Sequence, residues 1–168
     1  TYHSRAILGL VKLDITDYAA DRELIFKENP ERVILSAASI GVDFCEENPA
    51  MARATNTDAP IALAKICKEA GAHFTFVSTE YVFDGTAGPY REDAAPHPIN
   101  FYGMTKLEAE QGIHAALPSA LIVRTTVIYS LRDQKNLLAF VLRSLKSNTP
   151  TSMASDQYST PVSADDLA

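Results

Sequence analysis

The amino-acid sequence predicts an α/β fold built on a parallel sheet. Three short β-rich runs, "RVILSAAS" (32–39), "HFTFVST" (73–79) and "ALIVRTTVIY" (120–129), are separated by longer segments with helical periodicity. Alternation of this kind builds crossover units, and crossovers join parallel strands. The runs are nearly unbroken in apolar character, as strands covered on both faces must be. The 168 residues, 46% hydrophobic and 21% charged, suffice for one core, so a single domain over residues 1–168 is expected.

The helices follow from local chemistry. In "TDYAADRELIFKEN", Thr16 or Asp17 can cap the first amides, and Asn29 and Pro30 end the segment. A second helix runs from about Pro49 to Ala70, with an apolar face through Met51, Ala54, Ile61, Ala62 and Ile66, and Gly71 ends it. Pro60 lies inside that span and should bend it or start a new helix. A third contains "YGMTKLEAEQGIHAAL" and stops before Pro118 and Ser119; a fourth covers about Asn136 to Leu145. Between strand and third helix, Asp84 to Asn100 carries Gly85, Gly88, Pro89, Pro96 and Pro98 and reads as a loop. In open α/β sheets such loops lie at the carboxyl edge, where ligands bind.

Composition excludes whole classes of function. A net charge of −6, with Lys and Arg scattered singly, is wrong for general nucleic-acid binding. No apolar run approaches the roughly 18 to 20 residues that span a bilayer. "TYHSRAILGL" lacks a signal peptide's order, so no membrane role is expected. Cys45 and Cys67 have no metal spacing and suit free thiols in a reducing compartment, which predicts the cytoplasm. His3, His73, His97 and His114 also lack metal spacing, and no metal site is expected. Glu46, Glu47, Glu108 and Glu110 read as solvated helix faces.

Chemistry concentrates at two places. Tyr102 and Lys106 are four residues apart and share one helix face. An ammonium beside a phenol favours the phenolate, so Lys106 is expected to lower the Tyr102 pKa and make it an acid or base near neutral pH. Ser78 and Thr79 end the middle strand, where either hydroxyl could meet a substrate oxygen.

Taken in order, "LDITD" (13–17), "VILSAASIGVDFCEENP" (33–49), "ATNTDAPIALAKICKEAG" (54–71), "VSTEYVFDGTAGPYREDAAPHPINFYGMTKLEAEQ" (77–111), "LIVRTTVIYS" (121–130) and "DQYSTPVSADDLA" (156–168) resemble the extended short-chain dehydrogenase/reductase family. Within it the sequence is most similar to the dTDP-4-dehydrorhamnose reductases and the related methionine adenosyltransferase regulatory β subunit. The resemblance implies a Rossmann-like, doubly wound parallel sheet. It implies Thr79, Tyr102 and Lys106 as a catalytic trio: Thr79 on the reacting oxygen, Tyr102 exchanging its proton, Lys106 on the nicotinamide ribose. Asp14 and Ile15 match positions that contact the adenine. Ala38, Ser39 and Ile40 match the turn that passes along the cofactor, and Asn56 matches a supporting asparagine. Glu80, where these reductases usually carry Asp, Tyr81 and Val127 match substrate-side positions.

Two departures accompany the match. The seven glycines form no G-x-x-G-x-x-G or G-x-G-x-x-G turn to receive a pyrophosphate. Aligned with the family, the chain starts just before "LDITD" and stops at "DDLA", so the first strand-helix-strand and most of the C-terminal substrate lobe are expected to lie outside it. Val127 stands where the rhamnose-forming reductases typically have a tryptophan against the sugar. The implied function is reduction of a 4-keto nucleotide sugar with NADP(H) or NAD(H), Tyr102 giving the proton. The alternative is a non-catalytic, cofactor-binding regulatory subunit whose partner is a methionine adenosyltransferase catalytic subunit. Some relatives dimerise, which leaves a homodimer open.

Overall fold

In the computed structural model, which describes residues 9–130, 132 and 136–168, Asp17 opens the first helix. Its carboxylate accepts the Ala20 amide at 3.1 Å, and helix α1 runs Tyr18–Glu28. Asn29, at φ 44°, closes it. Strand β1, Arg32–Leu35, pairs in parallel with β2, His73–Thr79, in the register Arg32 to His73 through Leu35 to Phe76. Strand β3, Leu121–Thr125, lies on the other side of β2. The three strands coincide with the three β-rich runs, although β1 stops four residues early and the third run breaks after Thr125.

Pro60 decides how the long second helical segment is built. Helices α2, Val42–Glu47, and α3, Pro49–Arg53, lead into one π-type turn, Ala54–Asp58, before α4, Ala59–Ala70. Proline has no N–H, so it cannot serve the Asn56 carbonyl four residues earlier. The chain widens locally instead, and the Ala59 amide reaches back to the Ala54 carbonyl. Gly71, at φ 73°, closes α4 in the left-handed conformation a glycine adopts without strain. Helix α5, Phe101–Ala116, follows the long loop.

The core of this first unit joins Ile25 of α1, Leu63, Ile66 and Cys67 of α4, Leu35, Phe74 and Phe76 of the sheet, and Ala109 and Ile113 of α5. Both cysteines are buried free thiols, as expected. A smaller cluster gathers Cys45, Ala52 and Tyr102 with Val42 and Phe101.

The chain divides between Arg124 and Thr125 into two compact units. In the second, β4, Ile128–Tyr129, pairs in parallel with β5, Val162–Ser163, which leads into α7, Ala164–Leu167. Asn136 caps α6, Leu137–Lys146, by accepting the Ala139 amide at 2.9 Å. Among the described residues no helix is long and apolar enough to cross a membrane. Of the four histidines, His3 lies outside the described residues.

Candidate active site

The start of α5 is fastened from two directions. Asn100 accepts the Gly103 amide at 2.7 Å, and Glu46, from α2, accepts the Phe101 amide at 2.7 Å. Glu46 is exposed, as a solvated glutamate of a helix start is, and it also acts as a long-range helix cap; its 55-residue separation from Phe101 hides that pairing from local pattern. Gly103 lets the helix end lie directly on the turn Glu80–Val82. A Cβ there would sit 2.1 Å from the Tyr81 carbonyl oxygen.

That close approach brings Tyr102 to the end of β2. Tyr102 is buried beside the end of β2, where the Thr79 hydroxyl accepts the Tyr81 amide at 3.2 Å. The Tyr81 ring meets Tyr102 edge-on, with centroids 5.8 Å apart. Burial pushes the Tyr102 phenol above its ordinary value, and the Thr79 hydroxyl acts in the other direction. This corrects the expectation that Lys106 lowers the phenol. The Lys106 ammonium is engaged elsewhere: it donates to the Val77 carbonyl at 2.8 Å and lies 3.9 Å from the centre of the Phe76 ring. Burial draws Lys106 down to about 8, opposed by Glu110 one turn away.

Asn56 holds the turn after β1. Its side-chain oxygen accepts the Ser39 amide at 2.8 Å, and its nitrogen donates to the Ser39 carbonyl at 3.0 Å and to Thr105 Oγ1 at 3.3 Å. Both backbone groups of Ser39, the last residue of the β-rich run, are therefore taken by a side chain. Thr105 donates to the Tyr102 carbonyl at 2.8 Å, and Thr57 donates to the Thr105 carbonyl at 2.8 Å. The π-type turn, the turn at Ala38, Ser39 and Ile40, and α5 thus form one connected network. Ala38 and Ser39 are half-buried and Ile40 is exposed.

The remaining expected residues fall in several places. Asp14 folds a turn of its own, accepting the Thr16 amide at 3.0 Å and its hydroxyl at 2.7 Å, while Ile15 packs against the main core. Glu80 and Tyr81 form the turn after Thr79. Val127 belongs to the second unit, where its carbonyl accepts the Val162 amide at 3.0 Å. Ser78, expected beside the substrate, instead donates to Glu110. Glu110 is buried, not solvated, and is paired with Arg124, a residue for which local sequence offers no signal.

The loop after β2 is tied by Asp84. Its carboxylate accepts the Tyr90 hydroxyl at 2.6 Å and the Thr86 amide at 3.0 Å, and His97 Nδ1 lies 3.3 Å away. These bonds, Tyr90 first, hold the Asp84 carboxyl well below the usual range. Phe83 and Tyr90 stack with centroids 4.3 Å apart.

A family model described as the RmlD substrate binding domain matches residues 3–168. The chain belongs to this family. It is 38% identical over 163 residues to a dTDP-4-dehydrorhamnose reductase of Streptomyces griseus, covering 96% of this chain and 53% of that protein. It is 40% identical over 127 residues to the methionine adenosyltransferase 2 subunit beta of Xenopus laevis, covering 76% of this chain and 38% of that protein. A solved dTDP-4-dehydrorhamnose reductase from Bacillus anthracis, in complex with NADP, superposes with a TM-score of 0.87 at 30% identity, covering 92% of this chain and 55% of that one. The Rossmann-like α/β architecture is that of these family members. The chain spans about half the length of the reductases it matches.

Proposed function

We propose that the protein containing this chain is an NAD(P)H-dependent reductase of the short-chain dehydrogenase/reductase type, acting on a 4-keto nucleotide sugar. The observation that carries this reading is the burial of Tyr102 against the Glu80–Val82 turn that follows Thr79, with Lys106 one turn further along the same helix. The membership of the chain in the RmlD family supports it. So does the NADP complex of the Bacillus anthracis relative.

The residues present suit the nicotinamide end of such a cofactor. Lys106 has three donors, and Val77 takes one. Two N–H donors are left that ribose hydroxyls could accept. Ala38, Ser39 and Ile40, held by Asn56, would run along the dinucleotide, and Asp14 and Ile15 would meet its adenine. The nicotinamide, when bound, supplies the hydride.

The chain's own residues handle the proton. A phenol pushed up by burial stays protonated at neutral pH, so Tyr102 is a donor poised for carbonyl reduction rather than a ready base. Thr79 orients the phenol and offers a hydroxyl where charge develops on the substrate oxygen. Glu80 and Tyr81 would face the sugar. The free buried thiols favour a cytoplasmic setting.

Replacing Tyr102 by Phe in the complete protein should lower turnover of a dTDP-4-keto sugar by about 100-fold or more, with the circular dichroism spectrum unchanged. Turnover retained in a folded Tyr102→Phe variant would sink the assignment. The 40% identity to the methionine adenosyltransferase subunit supports a second reading, a regulatory subunit that uses the fold as a platform. Capture of a methionine adenosyltransferase catalytic subunit by the complete protein, without sugar reduction, would select it.

A further inference from the structure

Glu110 completes a stripe that begins with the proposed catalytic pair: Tyr102, Lys106 and Glu110 recur every four residues on α5. The Glu110 carboxylate is 5% exposed, and its partners come from two strands. From β2, Ser78 Oγ donates to Oε1. From β3, Arg124 Nε lies 3.1 Å from both carboxylate oxygens, and Nη2 donates to Oε2 at 2.7 Å. Arg124 reaches further: Nη1 donates to the Glu92 carbonyl at 3.4 Å, and the guanidinium lies 5.1 Å from the centre of the Phe83 ring. One carboxylate therefore links the residue next to Thr79, the helix that carries Tyr102 and Lys106, and two points of the chain that follows Thr79.

We propose that Glu110 is a positioning residue for the reaction: through Ser78 it sets the end of β2 that presents Thr79, and through Arg124 it fastens the Phe83 to Glu92 segment. This deepens the reductase reading and rests on it for the catalytic consequence. The physical reason lies in the cost of an unpaired buried charge. Glu110 and Arg124 are each held in place by the other, so neither the strand end nor the loop can shift without exposing an uncompensated charge. A fork of parallel N–H bonds on a carboxylate also fixes direction, which a single point contact does not. Lys106 faces the same carboxylate from its own helix, with the Val77 carbonyl and the Phe76 ring of β2 on its other sides.

The test is Glu110→Gln in the complete protein, which keeps the size and an acceptor for Ser78 and removes the charge. Turnover of the dTDP-4-keto sugar should fall by about 10- to 100-fold with KM changed less than about threefold, the pattern of lost alignment rather than lost binding. One further readout needs no substrate: the Thr79 amide should exchange its hydrogen faster. A purely structural ion pair would lower the melting temperature and leave Thr79 exchange and turnover of the folded protein unmoved, and that result overturns the proposal. If the parent shows no sugar reduction but Thr79 exchange rises in the variant, the reductase reading fails while the positioning role stands. Should Glu110→Gln not fold, Ser78→Ala carries the test: faster Thr79 exchange with turnover reduced several-fold supports the proposal, and no change in either overturns it.

Discussion

Two buried polar regions of the first unit solve the same physical problem in opposite ways. Along the seam that α5 makes with the π-type turn and with the sheet, Asn56, Thr57, Thr105, Lys106 and Glu110 are all buried, and each has a hydrogen-bond partner in a neighbouring element. Within α1, Asp21 is fully buried, and neither carboxylate oxygen has a hydrogen-bond partner among the described residues. Burial pushes its carboxyl up to about 6, with Asp17 and Asp14 adding to the effect. A satisfied network specifies one arrangement of the elements it joins, whereas an unsatisfied group only costs stability. The proposed catalytic residues lie in the first region, where their directions are over-determined.

The contrast predicts that substitutions in the seam destabilise and that removing Asp21 stabilises. The largest effect is expected at Gly103. Gly103→Ala would drive a methyl group into the Tyr81 carbonyl, which is backbone and cannot rotate away. A loss of about 3 kcal/mol is expected, measured by chemical denaturation, and a near-neutral result would show that the helix end can back away from the turn. Next comes Asn56→Ala, which strips both partners from Ser39 and one from Thr105. It should cost about 2–3 kcal/mol and speed hydrogen exchange at the Ser39 amide; unchanged exchange would mean the turn after β1 holds itself.

The smallest effect has the opposite sign. Asp21→Leu should raise stability by about 1–2 kcal/mol at pH 7.5. Its pH dependence follows from linkage. The folded carboxyl titrates at about 6, above the ordinary 3.8, so the native state binds the proton more tightly than the unfolded chain. Burying Asp21 therefore costs the parent less below pH 4 than above pH 6, and the advantage of Asp21→Leu should shrink as pH falls through that window. Thermal melts of both proteins from pH 4 to 8 check this, and a gain independent of pH would assign it to packing alone.

Where local chemistry decided the outcome, the residues were readable in advance. Asp17, Asn100 and Asn136 mark helix starts, Asn29 and Gly71 mark ends, and Pro60 marks the break, because each acts within a few residues along the chain. The Tyr102 and Lys106 stripe was readable for the same reason: four residues are one helical turn. The pairing of Glu110 with Ser78, 32 residues away, was not. Nor was the capture of Ser39 by Asn56, 17 residues on.

The direction of the Tyr102 shift belongs to the second kind. Sequence spacing places an ammonium near a phenol, and from that distance alone the phenolate should be favoured. Burial of the ring acts the other way, and burial is a property of what the rest of the chain brings around it. By itself the sequence determined the α/β alternation, several helix ends, the family and the residues able to do chemistry, because propensity, capping and periodicity are short-range. Only the tertiary structure decided how far Tyr102 is buried, where the Lys106 ammonium points and which glutamate is buried, because those depend on contacts whose partners lie tens of residues apart.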